Sequence, residues 1–316
     1  MKLEKEKIDL GIVVLHYNNI DDTIECVYSF LNKLDTKKYH ILIFDNCSPN
    51  GSGELLKQKF KNIKNVSVYL NDKNIGFGAG NNKGLDILRD KYEANFIVLS
   101  NNDIILLDTN FYKKVETEYK QSNFAELGPL IVTADGRLDS NPIFDLPCTR
   151  EIAEYNLKDY KSKLKSRKYH YSKFYDFIIR FRFKFSKSFR KKRLLRNRKY
   201  KSDAIFLKKR ENVICHGCFM VFSKNFFKYY RGINLHSFMY DEEDIIFLQI
   251  ISKGMKTIYC PSIAVYHKEG RSVMNTYRNN RKKQIFLYEK YIEAIEGYIN
   301  YLDELEKGGF ILERGV

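Results

Sequence analysis

Asn74-Ile-Gly-Phe-Gly-Ala-Gly-Asn-Asn-Lys-Gly84, followed by Phe96-Ile-Val-Leu-Ser-Asn-Asn-Asp103, is the stretch that decides the fold. It predicts a glycine- and amide-rich turn, a helix over about 84–92, and a short apolar strand over 96–100 that ends on oxygen-bearing side chains. Glycines let a backbone approach a ligand closely, and the start of the following helix favours negative charge. An acid at the carboxyl end of a strand lies where open α/β sheets present their ligands. The combination points to a site for a phosphorylated small molecule such as a nucleotide.

Working outward, 8–15 is a β-branched apolar run suited to a buried strand, and it breaks at His16-Tyr-Asn-Asn. Asp21 or Asp22 is expected to cap the next helix, which carries Ile24, Val27, Tyr28 and Leu31 at helical spacing. A second strand over 39–44 ends in the turn-forming run Asp45-Asn-Cys-Ser-Pro-Asn-Gly. A helix near 54–60 and a strand over 66–70 complete the first part. Strands alternating with helices predict a parallel sheet with right-handed crossovers. Every polar turn falls at a strand's carboxyl end, so Tyr17, Asp45, Asn74 and Asp103 are expected to converge on one edge.

After Pro129 the pattern loosens. Residues 135–150 read as loop, 151–210 as a basic insert, and 213–222 as an apolar strand. Met239-Tyr-Asp-Glu-Glu-Asp244 opens a helix for which Gly254 is the expected C-cap. Two short strands over 257–260 and 263–266 lead to His267, and a long amphipathic helix occupies 279–306.

The 316 residues are 44% hydrophobic and 15% aromatic, enough for a buried core and too apolar for global disorder. No run reaches the roughly 18–20 apolar residues of a spanning helix, so a cytoplasmic protein is expected, touching a membrane only at its surface. The six cysteines read as reduced core thiols. Cys215-His-Gly-Cys218 has the spacing of half a zinc site or of a redox pair, but no second cysteine/histidine pair appears at ribbon-like spacing to close a tetrahedral site.

Net charge is +16, and one window explains it. Residues 161–210 hold 21 Lys/Arg against two acids, so the rest of the chain is slightly acidic. Within the window Phe174, Phe177, Ile178, Phe181, Phe185 and Phe189 recur at three- and four-residue steps, with Arg180, Arg182, Lys184, Lys187 and Arg190 between them. Three readings fit: a solvated charged insert, an interfacial helix on anionic lipid, or a nucleic-acid surface.

Several motifs occur in a fixed order. Tyr17-Asn18 ends the first strand, and the Phe44-Asp45-Asn46-Cys-Ser48 turn ends the second. Asn74-x-Gly76-Phe77-x-x-Gly80-Asn81-Asn82-x-Gly84 and Leu-Ser-Asn101-Asn102-Asp103 follow. Gly-Cys-Phe-Met-Val-Phe-Ser, Phe-Met-Tyr-x-Glu-Glu-Asp and Val-Tyr-His267 come last. In this the chain resembles family 2 glycosyltransferases of the rhamnosyl/capsular-polysaccharide type, over roughly 8–135 and 213–275.

The resemblance implies a GT-A fold: a Rossmann-like, mostly parallel α/β sheet flanked by helices, here with a basic helical insert and a C-terminal helix. It divides the chain into a nucleotide-sugar-binding half (1–135), a loop and basic aromatic insert (136–212), an acceptor and catalytic half (213–275) and a C-terminal amphipathic helix (276–316). Tyr17 would stack on the nucleobase, and Asp45 would accept hydrogen bonds from base or ribose. Asn74, Gly76, Phe77, Gly80 and Asn81 would shape the floor under the sugar diphosphate, and Asn18, Asn46, Asn101 and Asn102 would belong to the same nucleotide-sugar site. Asp103, with His267, would hold a Mg²⁺ or Mn²⁺. One carboxylate stands where many members carry two, which weakens cation binding.

Inverting transfer needs a base for the acceptor hydroxyl. Asp241-Glu-Glu-Asp244 is the dense carboxylate group of the second half. Glu243 is the expected base, with Asp244 and Glu242 as alternates. The implied donor is UDP- or dTDP-linked, and the implied acceptor is a glycan or lipid-linked glycan at the inner membrane face. The basic segment would then be peripheral on that membrane. A nucleic-acid-binding protein leaves the Asn74–Asp103 run unused. A sugar nucleotidylyltransferase lacks its N-terminal glycine-rich loop here.

Overall fold

A computed structural model of the protein describes residues 4–145, 147–168, 203–234, 236–268, 280–310 and 312. The aromatic stripe between Phe174 and Phe189 lies outside the described residues. Four strands lie parallel in the order β3-β2-β1-β4: β1 (Glu6–His16), β2 (Tyr39–Asp45), β3 (Val66–Leu70) and β4 (Tyr92–Asn101). The order continues β8-β6-β9-β5, with β5 (Ile104–Leu106), β6 (Glu126–Thr133), β8 (Phe219–Ser223) and β9 (Thr257–His267). β7 (Arg210–Glu211) pairs with β9. β8 runs antiparallel to both β4 and β6, while β6 and β9 are parallel. The sheet is therefore parallel through four strands and mixed beyond them, less parallel than the sequence suggests.

Alternation along β1 builds both faces. Leu10, Ile12 and Val14 point to one side, where Cys26, Val27 and Phe30 of α1 (Ile20–Lys33), Leu56 and Phe60 of α2 (Ser52–Phe60) and Phe111 and Val115 of α4 (Phe111–Ser122) cover them. Val13 points to the other side, toward Leu85 and Leu88 of α3 (Phe77–Lys91), Phe226 of α6 (Lys224–Tyr229), and Ile246 and Ile250 of α7 (Glu242–Ile251). α7 is apolar on nearly every side and needs a second cover. α5 (Arg150–Lys168) and α8 (Asn280–Lys307) supply it: Ala153, Ile295, Tyr298 and Leu302 pack on Ile245 and Leu248. The first part of the basic insert is thus a helix of the folded body.

Four boundaries differ from the sequence reading, each for a physical reason. α3 starts at Phe77, so the glycine run forms its first two turns; Gly80 and Gly84 let it lie almost on β1, where a Cβ at Gly84 would come 2.5 Å from Val13 Cγ1. The expected strand 213–222 is cut to β8, because the Gly217 and Cys218 N–H groups bond to side chains of Glu243 and His216. The two short late strands are one strand, β9, whose register with β6 shifts between Pro129 and Leu130. The N-cap of α1 is Asn19, which donates to Asp22 Oδ2 at 2.5 Å, so neither Asp21 nor Asp22 caps. Among the described residues no helix is long and apolar enough to cross a membrane.

The contact between α3 and β1 yields a test. Gly84→Val should destabilise the protein by about 1–3 kcal/mol through overpacking. Lys57→Ala, on an exposed face, should stay within about 0.5 kcal/mol. Urea unfolding of both variants measures the difference.

Candidate active site

The parallel strands deliver their loops to one edge, as parallel register requires. His16 and Asp45 are paired residues of β1 and β2, and Leu15 is opposite Asn101 of β4. The rim of this edge is framed mainly by neutral amides. Asn46, 4% exposed, donates to Asn74 Oδ1 (3.0 Å) and to the Gly76 carbonyl (2.9 Å) and accepts from the Ile75 N–H (3.0 Å). It ties the end of β2 to the turn before α3. Asn18 is left-handed (φ 67), donates its N–H to Ser48 Oγ, and has a buried Oδ1 without a partner. Asn81 is buried, with its Nδ2 on the Phe77 carbonyl and its Oδ1 unpartnered. Tyr17 is half-buried beside them.

Asp45 is buried and already engaged. Its carboxylate accepts from the Ser48 N–H and from Ser48 Oγ at 2.5 Å, the Asx-turn geometry its neighbours favour. Burial pushes this carboxyl up, and the Ser48 hydrogen bonds pull it back. Below it His16 is fully buried between Thr23 Oγ1 (2.6 Å) and Ser52 Oγ (2.8 Å). Burial pushes the His16 imidazole down to about 4, so it is neutral at physiological pH. Asn102 is also committed inward, donating to Thr23 Oγ1 at 3.0 Å. Asn101 fixes the rim through its backbone, with its N–H on the Cys218 carbonyl at 2.9 Å.

Asp103 and His267 meet because β5 and β9 pair antiparallel, which sets Ile104 opposite His267. His267 Nε2 is 3.3 Å from Asp103 Oδ1, both residues are buried, and His267 Nδ1 has no partner. One carboxylate and one imidazole suit a divalent cation that takes its remaining ligands from phosphate and water. Among the described residues no group of three His, Cys, Asp or Glu side chains could hold a metal ion by itself.

Glu243, in the first turn of α7, is tied to this edge through the backbone. Its Oε1 accepts from the Gly217 N–H at 3.0 Å, and a Cβ at Gly217 would lie 2.8 Å from that oxygen. A side chain there would displace the Glu243 carboxylate from this position. Cys218 follows directly and bonds Asn101, so backbone links Glu243 to the Asn101–Asp103 turn. Its neighbours are held differently. Burial, reinforced by Glu243, pushes Glu242 up to about 8, and its Oε1 has no hydrogen-bond partner. Burial with Asp241 and Glu243 nearby pushes Asp244 up to about 7, and burial with Glu243 pushes Asp241 up to about 6.

Four residues of this neighbourhood receive no role from sequence reasoning. His216 accepts the Cys218 N–H on Nδ1, and its ring centroid is 6.0 Å from that of His267. Asn141, fully buried, bonds the His216 N–H and the Pro129 carbonyl. Glu126, at the start of β6, is pushed up to about 8 by burial and by Glu243. Phe238 meets the start of α3 through its carbonyl, 2.9 Å from the Phe77 N–H. His216, between two cysteines, and Phe238, the first residue of the Phe-Met-Tyr-x-Glu-Glu-Asp motif, have a sequence signal that assigns no role to either.

Comparison with known proteins bears on family and fold. Residues 11–136 match the family described as Glycosyl transferase family 2. A Methanocaldococcus jannaschii protein named an uncharacterized glycosyltransferase is 28% identical over 118 residues, 37% of this chain and 38% of its own length. The match thus spans under two-fifths of that curated relative. Among solved structures, GalNAc-T7 with UDP, GalNAc and Mn²⁺ aligns over 97% of this chain and 52% of its own, at 15% identity and a TM-score of 0.52. S. aureus TarS 1–349 in complex with UDP-GlcNAc aligns over 90% of this chain and 66% of its own, at 13% identity and a TM-score of 0.49. At 15% identity the likeness to GalNAc-T7 is one of fold. Residues 11–136 thus resemble the glycosyltransferase family 2 domain, and the chain shares the α/β fold of the GT-A glycosyltransferases.

Proposed function

We propose that the protein is an inverting glycosyltransferase that moves a hexosyl or deoxyhexosyl group from a UDP- or dTDP-linked donor to a hydroxyl of a glycan. The observation that carries this reading is the shared rim. The Glu243 carboxylate is tied through the Gly217 N–H and the Cys218 backbone to Asn101, two residues before the Asp103 that pairs with His267. A bound Mg²⁺ or Mn²⁺ would supply charge neutralisation for the departing nucleoside diphosphate. Asp103 and His267 would hold it. Tyr17 and Asn18 flank the base, and Gly76, Phe77, Gly80 and Asn81 floor the sugar diphosphate. Helix N-terminus and close backbone approach both suit phosphate there.

Glu243 serves as the base. It takes the acceptor hydroxyl's proton as that oxygen bonds the anomeric carbon and the bond to the diphosphate breaks. The Gly217 N–H orients its carboxylate toward the rim. Glu242 is the poorer candidate, because burial keeps it protonated at neutral pH. Asp244 titrates near neutrality and is the alternate.

The acceptor is a lipid-linked surface glycan of the capsular type in this reading, and the protein sits peripherally at a membrane. Support comes from the 21 Lys/Arg of 161–210, since each basic residue near an anionic surface adds on the order of 1 kcal/mol.

Three measurements test these statements. A thermal-shift panel of nucleotide sugars with and without Mn²⁺ should return one donor that stabilises the protein, more so with metal. Glu243→Gln should then retain that stabilisation and lose about 10²–10⁴-fold in turnover. A panel in which no UDP- or dTDP-sugar shifts the melting temperature overturns the reading. Replacing Arg180, Arg182, Lys184, Lys187 and Arg190 together by Gln should abolish sedimentation with anionic vesicles; unchanged sedimentation removes the membrane role.

The buried acids give a pH dependence of stability. Carboxyls raised above their unfolded values make the folded state bind more protons, so stability falls as pH rises from about 4.5 to about 8 for Glu242. Glu242→Gln should flatten that fall and gain on the order of 1–3 kcal/mol over the native chain at pH 9 relative to pH 5. Denaturant titrations at the two pH values read it directly.

A further inference from the structure

The acidic end of α7 is aimed by a segment, 236–241, whose conformation local sequence does not explain. Tyr240 and Asp241 are consecutive non-glycine residues in the left-handed region, with φ of 79 and 64. Such a pair persists only where the surroundings hold it. Asp241 is the N-cap of α7 and makes no side-chain cap bond, so it does not hold itself.

The restraints come from two directions. On the donor side the Phe238 carbonyl accepts the Phe77 N–H at 2.9 Å, filling a donor left over at the start of α3. It sits where a side chain at position 76 would be, since a Cβ on Gly76 would fall 2.1 Å from that oxygen. On the other side the Phe238 N–H donates to Glu293 Oε1 of α8 at 2.9 Å. Lys290 Nζ bonds Glu293 Oε2 at 2.7 Å and lies 4.3 Å from the centroid of the Phe238 ring. The Tyr240 ring stacks on Tyr291 of α8 at 4.4 Å. Gly297 lets α8 come this close, because a Cβ there would meet the His236 backbone oxygen at 2.5 Å.

One peptide unit pair at Phe238 thus hands a hydrogen bond from α8 to α3, and the turn that follows it carries Asp241–Asp244. We propose that Glu293 is a positioning residue. Through Phe238 it holds the glycine turn at α3 and the base-bearing end of α7 in one arrangement, making the C-terminal helix part of the active site's frame. The statement about the frame stands on contacts alone; its consequence for turnover rests on the glycosyltransferase reading.

Hydrogen exchange by mass spectrometry on the full chain separates the two. In Glu293→Ala, peptides covering 74–80 and 236–244 should both exchange at least tenfold faster, with β1 and β4 unchanged. Glu293→Gln keeps an acceptor oxygen and should stay within threefold of the native rates. Glu296→Ala removes only the surface pair with Lys161 and should leave both peptides unaffected. Should Glu293→Ala not fold, Gly76→Ala attacks the same contact from the other side and should speed exchange over 236–244. Faster exchange confined to α8, or equal disturbance by Gln and Ala, overturns the proposal.

With the donor from the nucleotide-sugar panel, turnover should fall at least tenfold in Glu293→Ala and stay within threefold in Glu293→Gln. UDP should slow exchange over both 74–80 and 236–244 in the native chain, and only over 74–80 in Glu293→Ala. If no donor or UDP binds, the functional reading fails while the ligand-free exchange rates still decide the frame.

Discussion

Gly76 has no side chain, adopts a φ of 89, and admits the Phe238 carbonyl into the space a Cβ would need. The two halves of the site meet at this contact. The amide turn that precedes α3 belongs to the parallel strands, while Phe238 belongs to the segment leading into α7. Any other residue at 76 would be strained in backbone and blocked in space. The arrangement of Asn74, Asn46 and the first turns of α3 on one side, and of the acidic cluster on the other, depends on that vacancy.

Around this junction the rim is built from neutral donors and acceptors, with charge confined to a few positions. Asn46 is saturated by three hydrogen bonds and acts as a brace, and Asn82 clamps the Ile233 backbone through both ends of its amide. His16 is neutral and wedged between two hydroxyls. The carboxyls are concentrated at the start of α7, an apolar helix covered on one side by the sheet and on the other by α5 and α8. That double cover is what raises Glu242 and Asp244. Stability and ionisation are coupled there by desolvation, and the acids are held poised near neutral pH.

Much of this was legible in residue order. The β-branched run of β1, the alternation with helices and the polar turns at strand ends locate the first half and its ligand edge, because side-chain period and turn chemistry are local properties. Asp103 and His267 are 164 positions apart in number, and only the β5–β9 register brings them within 3.3 Å. The glycine run misled locally: helix-breaking composition hid two helical turns, since Gly80 and Gly84 are there to let α3 press on Leu15 and Val13. Asn46 and Asn82 look alike on paper to Asn81, yet the first two are spent on structure and the third has an unpartnered oxygen.

Sequence alone determined the α/β class, the four parallel strands and the edge to which their loops point, because hydrophobic period and strand direction leave little freedom once crossovers are short. Tertiary structure decided which carboxyls are buried, which amides are left open, and that the C-terminal helix reaches Phe238. Those outcomes depend on packing between segments far apart in the chain, where a burial or a missing Cβ is set by the neighbour and not by the residue itself.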